Sequence, residues 1–157
     1  MRVTIDIATQ TLQVYAGDTL TKSYVISTAK NGAGEQQGSE QTPRGKHIVR
    51  AKIGKDAPIN SVFVARRATG EIYSPSLRAA HPNRDWILTR ILWLSGTEVG
   101  KNRLGKVDSM QRFIYIHGTP DEEPMGVPMS HGCIRMRNLD VTDLYNLVPP
   151  GTAVEIN

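Results

Sequence analysis

The sequence predicts a mainly β fold, a single sandwich- or barrel-like domain over residues 1–157 with one helix near its C-terminal end and long loops between strands. Three observations carry that expectation. Apolar and polar residues alternate at the N-terminus, short β-branched and aromatic segments recur between Gly, Pro and Asn turn signals, and helical apolar spacing occurs only near the C-terminus. A chain of 157 residues is one ordinary domain and buries about two-thirds of the surface its unfolded form exposes.

Val3, Ile5 and Ile7 alternate with Arg2, Thr4 and Asp6, the pattern of a half-buried strand. Residues 12–15 and 20–27 follow as two more strands around the Gly17-Asp18 turn, making a meander. Residues 29–42 are rich in Gly, Gln and Ser without periodicity and read as a mobile loop. Thr42-Pro43-Arg44-Gly45 turns the chain into a strand over 46–52, and 61–65 is another short strand. Residues 66–85 carry two prolines and little pattern, a connection long enough to be functional. Residues 86–94 are bulky and β-branched, a central strand or a buried helix by periodicity alone. After a Gly- and Lys-rich stretch, 112–117 form a strand running into Gly118-Thr119-Pro120. Asn138 caps a helix with Leu139, Leu144, Leu147 and Val148 on one face; Pro149-Pro150-Gly151 stops it, and 152–156 supply a last strand.

Composition narrows the function. Hydrophobic residues at 39% and charged ones at 22% exclude wholesale disorder. The net charge is +4 with no block of Lys or Arg, which disfavours nucleic acid and suits a carboxylate-bearing substrate met by local arginines. No apolar run approaches the roughly eighteen residues of a membrane span. Met1-Arg2 leads directly into the first strand without the pattern of a signal peptide, so the expectation is a cytoplasmic protein; the alternative is a periplasmic or cell-wall protein whose leader has been removed.

The chemistry concentrates in Ser130-His131-Gly132-Cys133-Ile134-Arg135, preceded by Ile116-His117-Gly118 at a strand end. The chain has one cysteine, so no intramolecular disulfide exists. A lone cysteine is most often a buried, inert small side chain. Here the adjacent His and Gly favour a nucleophile, which needs a base to form thiolate and backbone amides able to face an oxyanion. The loop of 12 residues over 118–129 is long enough to bring His117 beside Cys133. A zinc set of His117, His131 and Cys133 lacks ligand spacing and a fourth group, so no metal and no cofactor are expected. His47 and His81 match no motif, Trp86 and Trp93 read as core, and Arg66, Arg67, Arg78 and Arg84 read as a solvated loop face or as contacts to an anionic peptide.

At these residues the sequence resembles the L,D-transpeptidase family with the YkuD catalytic domain. The strand ending in His117-Gly118, the loop, and Ser130-His131-Gly132-Cys133-Ile134-Arg135 carry the resemblance, with the Thr42-Pro43-x-Gly45 turn and the C-terminal helix and strand extending it along the chain. The loop is shorter than the family pattern, and Arg135 stands where many members have Asn. The resemblance implies Cys133 as nucleophile, His117 as general base oriented by the Gly118 carbonyl, and backbone amides from Gly132 to Ile134 as oxyanion hole. Ser130 and His131 would shape the turn or touch substrate, and Arg135 would meet a carboxylate.

The implied partner is a bacterial peptidoglycan stem peptide. Cys133 would form a thioester on the third residue and release the terminal D-Ala. Without a leader, the expectation is an L,D-carboxypeptidase of peptidoglycan recycling, with water as acceptor. The alternatives are an exported L,D-transpeptidase making cross-links or exchanging D-amino acids, and a muropeptide-binding domain without catalysis. The resemblance also implies acylation by carbapenems; oligomeric state is not specified.

Overall fold

The computed structural model describes residues Met1–Asn157. Ten strands form one sheet: β1 (Arg2–Asp6), β2 (Thr11–Ala16), β3 (Thr19–Ser27), β4 (Gly45–Ile53), β5 (Ser61–Val64), β6 (Arg67–Ile72), β7 (Ile87–Gly96), β8 (Tyr115–Gly118), β9 (Ile134–Met136) and β10 (Ala153–Ile156). Two helices accompany them, α1 (Pro75–Ala80) and α2 (Asn138–Leu147). The strand order is β4-β10-β1-β2-β3-β9-β8-β7-β5-β6, and β4 also pairs with β7. That extra pairing closes a barrel and leaves β5–β6 as a ribbon branching from β7. No helix is long and apolar enough to cross a membrane.

The alternation read in the sequence fills the barrel. Val3 and Ile5 of β1, Leu12 and Val14 of β2, Tyr24 and Ile26 of β3, and Val154 and Ile156 of β10 all point into the main core. Helix α2 adds Val141, Leu144 and Tyr145 to the same core. The first and last strands pair in parallel, with Val3 opposite Val154, and backbone bonds between Asn157 and both Ile5 and Ile7 lock that seam.

Residues 86–94 resolve as a strand, β7, because this segment pairs with three neighbours, β4, β5 and β8. A helix would leave those partners without a ladder. The strand expected over 112–117 begins only at Tyr115, since Phe113 takes a φ of 58° in a turn closed from its N–H to the Met110 carbonyl. Residues 29–42 are irregular, as expected, but tied down: Ala29 bridges Ser130 and Ala33 bridges Thr42. The connection 66–85 contains the unforeseen β6 and α1, the latter capped by the Ser74 side chain with Pro75 in its first turn. This excursion is clipped to the loop after β8 by Tyr73 bonding Glu122 and by Arg78 pairing with Glu122 and Glu123. The expected cap of the last helix is corrected. Arg137 occupies that position without a side-chain bond, Asn138 lies inside the first turn and is buried, and Leu139 is 71% exposed rather than on the apolar face.

Leu92 is fully buried in the main core on the barrel's central strand. Leu92→Ala removes its packing and leaves a cavity, so unfolding in denaturant is expected to lose about 2–5 kcal/mol, read as a lowered midpoint at unchanged slope.

Candidate active site

Register builds the site. Strands β8 and β9 are parallel, with Ile116 opposite Ile134 and His117 opposite Arg135. Side chains alternate across a sheet, so Ile116, Ile134 and Met136 enter the core. Tyr115, His117, Cys133 and Arg135 therefore share the other face, where all four line a cleft of about 420 Å³. Cys133 sits one residue before β9, level with Tyr115, and the Tyr115 N–H donates to its Sγ at 3.3 Å. The thiol in turn donates to the Phe113 carbonyl at 3.3 Å.

His117 is buried, and its Nδ1 lies 2.6 Å from the Gly118 carbonyl oxygen. A carbonyl only accepts, so Nδ1 carries the hydrogen and Nε2 keeps its lone pair. Gly118 is required by space rather than by φ: a Cβ there would stand 2.4 Å from the Asn138 Oδ1 and 2.6 Å from the Leu88 carbonyl oxygen. Asn138 thus rests on the residue that orients the imidazole. Its Nδ2 donates to the Thr119 carbonyl at 2.9 Å and to Asn60 Oδ1 at 3.0 Å, while its Oδ1 accepts from Thr89 Oγ1 at 2.6 Å. Thr89, with a φ of 74°, lies in a bulge where β7 passes from Leu88 opposite Gly118 to Ile91 opposite His117. Bulges beside functional sites re-aim neighbouring groups.

The turn before β9 is held from inside. The Ser130 hydroxyl donates to the Cys133 carbonyl at 2.6 Å and accepts from the Gly132 N–H at 3.2 Å. Gly132 has a φ of 130° and a Cβ there would approach the Gln41 carbonyl to 3.3 Å, so glycine is needed on both counts. Thr42, buried, donates from Oγ1 to the Gly132 carbonyl at 3.0 Å and accepts from the Ala29 N–H, joining the Thr-Pro-x-Gly turn to the cysteine turn. Arg112 braces the same loop through the Gln41 carbonyl at 2.7 Å. Of the amides expected to face an oxyanion, Gly132's is committed to Ser130, while that of Cys133 makes no bond within the chain. Ile134 is fully buried and opens β9, opposite Ile116 of β8.

Burial dominates the titration of both central groups. It pushes the Cys133 thiol up to about 12, with the Asp85 carboxylate raising it further and the Tyr115 N–H, Arg135 and Arg112 opposing. It holds His117 below the ordinary histidine value against the Asp85 charge and the Gly118 hydrogen bond. The resting pair is a neutral thiol and a neutral imidazole. Arg66, Arg112 and Arg135 line the cleft with Asp85. Arg66, at the β5–β6 turn, donates to the Tyr115 hydroxyl at 2.8 Å and stacks over Trp93 and Phe113. His131 is exposed, with Nδ1 3.8 Å from Asp85.

Every residue singled out in the sequence motif, namely Gly118, His117, Ser130, His131, Gly132, Cys133, Ile134 and Arg135, falls at this strand end and turn. Asn138, Thr42, Arg112 and Asp85 were not assigned to the site from sequence, whereas Arg66 was read there as a solvated loop residue or a contact to an anionic peptide. Thr42 stood in a noted turn and Asn138 beside a helix start, but the side-chain partners lie 13 and 90 residues away for Thr42 and 17 or more away for Asn138, and no local signal reveals them.

A closed β fold with a thiol and an imidazole on one face of a parallel strand pair defines a class of barrel proteins with a cysteine–histidine cleft. The chain belongs to the L,D-transpeptidase catalytic domain family, YkuD, which it matches over residues 1–156. It is 28% identical over 155 residues to the putative L,D-transpeptidase YkuD of Bacillus licheniformis, covering 99% of this chain and 64% of that protein. It is 32% identical over 108 residues to the probable L,D-transpeptidase YbiS of Escherichia coli K12, covering 66% of this chain and 34% of that one. L,D-transpeptidase 3 from Mycobacterium tuberculosis, solved in complex with a faropenem-derived adduct, shares the fold at a TM-score of 0.61 and 17% identity, covering 99% of this chain and 59% of that one. The chain thus spans less than two-thirds of the length of each.

His47 and His117 are both buried and both held below the ordinary histidine value, chiefly by burial. The unfolded chain takes up these protons at about pH 6.5, before the folded chain does. The contribution to stability is therefore fully present above about 6.5 and lost as pH falls toward the depressed folded values. Melting temperature followed from pH 7.5 to 5 is expected to fall, and His47→Gln to flatten part of that slope.

Proposed function

We propose that the chain is a cysteine acyl-enzyme that removes the terminal D-Ala from peptidoglycan tetrapeptide stems, with water as acceptor, on stems recovered in the cytoplasm from wall turnover. The observation that carries this reading is the shared strand face. It sets the Cys133 thiol and the His117 imidazole in one cleft, with Nδ1 fixed on the Gly118 carbonyl and Nε2 left basic. The three cleft arginines supply the charge that a stem rich in carboxylates calls for.

In this mechanism the thiol leaves the Phe113 carbonyl and passes its proton to His117 Nε2 as Sγ attacks the carbonyl carbon of the third stem residue. The oxyanion that forms faces the Cys133 N–H. The protonated imidazole returns the proton to the departing D-Ala nitrogen, the C–N bond breaks, and a thioester remains. A water molecule, losing its proton to Nε2, attacks the thioester; the tripeptide acid leaves and the thiol is restored. Because thiol and imidazole start neutral, the transfer costs charge separation beside a buried imidazole, which the Tyr115 N–H and the arginines Arg112 and Arg135 reduce.

A second reading, transfer to an amine, draws on one feature. A polar cleft of about 280 Å³ adjoins the first across Asp85, His131 and Arg135 and offers room for an acceptor.

Incubation with a disaccharide tetrapeptide is expected to give tripeptide and free D-Ala, with dimers or D-amino-acid adducts marking an amine acceptor instead. Cys133→Ala is expected to abolish release; undiminished release would overturn the assignment, and retention of biological function without release would indicate a binding domain. Mass spectrometry after exposure to faropenem or a carbapenem is expected to place a covalent adduct on Cys133. Asn138→Asp puts a carboxylate against the Thr119 carbonyl, loosens the Gly118 support, and is expected to lower kcat about tenfold with KM little changed. The acid limb of kcat/KM is expected below pH 6.5, where His117 protonates. Alkylation of Cys133 by iodoacetamide is expected to be slow at pH 7 and to climb throughout the alkaline range toward the raised thiol value.

A further inference from the structure

His47 is a buried imidazole on β4, outside the cleft and outside every sequence motif noted above. Its Nδ1 lies 3.0 Å from the Gly45 carbonyl oxygen and its Nε2 lies 2.8 Å from the Ser109 hydroxyl. The carbonyl only accepts, so Nδ1 carries the hydrogen, Nε2 keeps a lone pair, and Ser109 donates to it. Burial holds the ring neutral in this arrangement against the Gly45 hydrogen bond and the charges of Glu98 and Glu35, with Arg112 acting in the same direction as burial. Ser109 is itself fully buried and uses every polar group it has. Its N–H donates to the Asn102 carbonyl at 2.9 Å, and its carbonyl accepts from the Ile114 N–H at 3.2 Å.

The bond from Ile114 to Ser109 closes the base of the loop 109–114, and both polar contacts of the Cys133 sulfur flank Ile114. Phe113, immediately before it, supplies the carbonyl to which the thiol donates; Tyr115, immediately after it, supplies the N–H that donates to Sγ. The loop tip cannot fix these groups by itself. Phe113 is 49% exposed and takes a φ of 58°, a conformation that a bulky residue keeps only where its surroundings hold it. Trp93 Nε1 holds the Met110 carbonyl and Arg112 holds the Gln41 carbonyl on the half-buried side, while His47 pins the loop from within. The path then returns to the Thr42–Gly45 turn. Gly45 accepts from His47 at one end of that turn, and at the other end Thr42 donates to the Gly132 carbonyl. One turn thus grips the cysteine from two sides, through the backbone next to it and through the groups on its sulfur.

We propose that His47 is a positioning residue for the nucleophile: by accepting the Ser109 hydroxyl it fixes Ile114, and with it the Phe113 carbonyl and the Tyr115 N–H that hold the Cys133 sulfur. This rests on the reading of Cys133 as the nucleophile. His47 touches neither the thiol nor the cleft, and its effect reaches the sulfur through one side-chain bond and one stretch of backbone. Since the Tyr115 N–H favours the thiolate, the placement of that amide sets how readily the thiol ionises.

Three variants of the full chain test it. His47→Asn keeps a donor for the Gly45 carbonyl but is too short for Ser109, whereas His47→Gln brings an Oε1 to the place of the Nε2 acceptor. Ser109→Ala removes the same bond with the imidazole in place, and decides the matter where His47→Asn does not fold. Alkylation of Cys133 by iodoacetamide at pH 9 reads the thiol without any substrate. It is expected to slow about threefold in His47→Asn and Ser109→Ala, because the Tyr115 N–H no longer favours the thiolate, and to be restored in His47→Gln. A general loosening of the fold would bare the sulfur and speed the same reaction, so the sign separates positioning from mere support. In D-Ala release, kcat is expected to fall about tenfold at little-changed KM in the first and third variants and to recover most of that loss in His47→Gln. Alkylation that is unchanged or faster in folded Ser109→Ala, or that His47→Gln fails to restore, would overturn the proposal. Absence of D-Ala release by the parent protein would sink the hydrolase reading alone, since the alkylation rates do not depend on it.

Discussion

The hydrogen bond from His117 Nδ1 to the Gly118 carbonyl constrains everything around it. It joins a side chain to the backbone of the next residue, so the ring is aimed by the path of the strand and by nothing longer. That path has to be fixed. Gly118 has no room for a Cβ because Asn138 and the Leu88 carbonyl press on it, and Asn138 is itself held by Thr89, Asn60 and Thr119. One amide therefore ties the first turn of α2, the bulge in β7, the loop before β5 and the end of β8 into a rigid seat. Burial keeps the ring neutral although the carbonyl bond favours its protonated form, and the outer nitrogen keeps its lone pair.

The opposite side of the cleft solves a different problem. The cysteine turn carries a glycine at positive φ and two buried hydroxyls, Ser130 and Thr42, which satisfy carbonyls that the turn would otherwise strand. The two hydroxyls belong to segments far apart in the chain that meet at Gly132. Around them the arginines give the cleft a positive field, while Arg112 also braces the loop behind the turn. Preorganisation and charge come from the same few side chains.

Much of this is legible from residue order, and the limits are physical. The alternation at Val3, Ile5, Leu12 and Val14 marks strands because one face is buried and the other wet. Residues 86–94 are buried on both faces, which erases the alternation, and only pairing with three partners identifies them as a strand. β6 escapes notice because its sequence, Arg67–Ile72, is mostly exposed ribbon with a glycine inside it. In the site, the thiol, imidazole and glycines stand out because their chemistry is local. Asn138 does not: beside a helix start, the chain's own propensity reads it as a cap, while its actual partners lie on other elements. Asp85 and Arg135 are likewise separated by 50 residues, and a carboxylate in a loop carries no mark of the guanidinium it will face.

The parallel seam between β1 and β10 has a consequence for how the protein is made. The barrel's first strand finds one of its two neighbours only in β10, so the ring stays open until β10 is available to pair. Before that, β1 and β4 each present a bare edge toward the place that β10 fills. Late closure places the burden of protecting two bare strand edges on the speed of a long-range pairing step, the slow kind in β proteins.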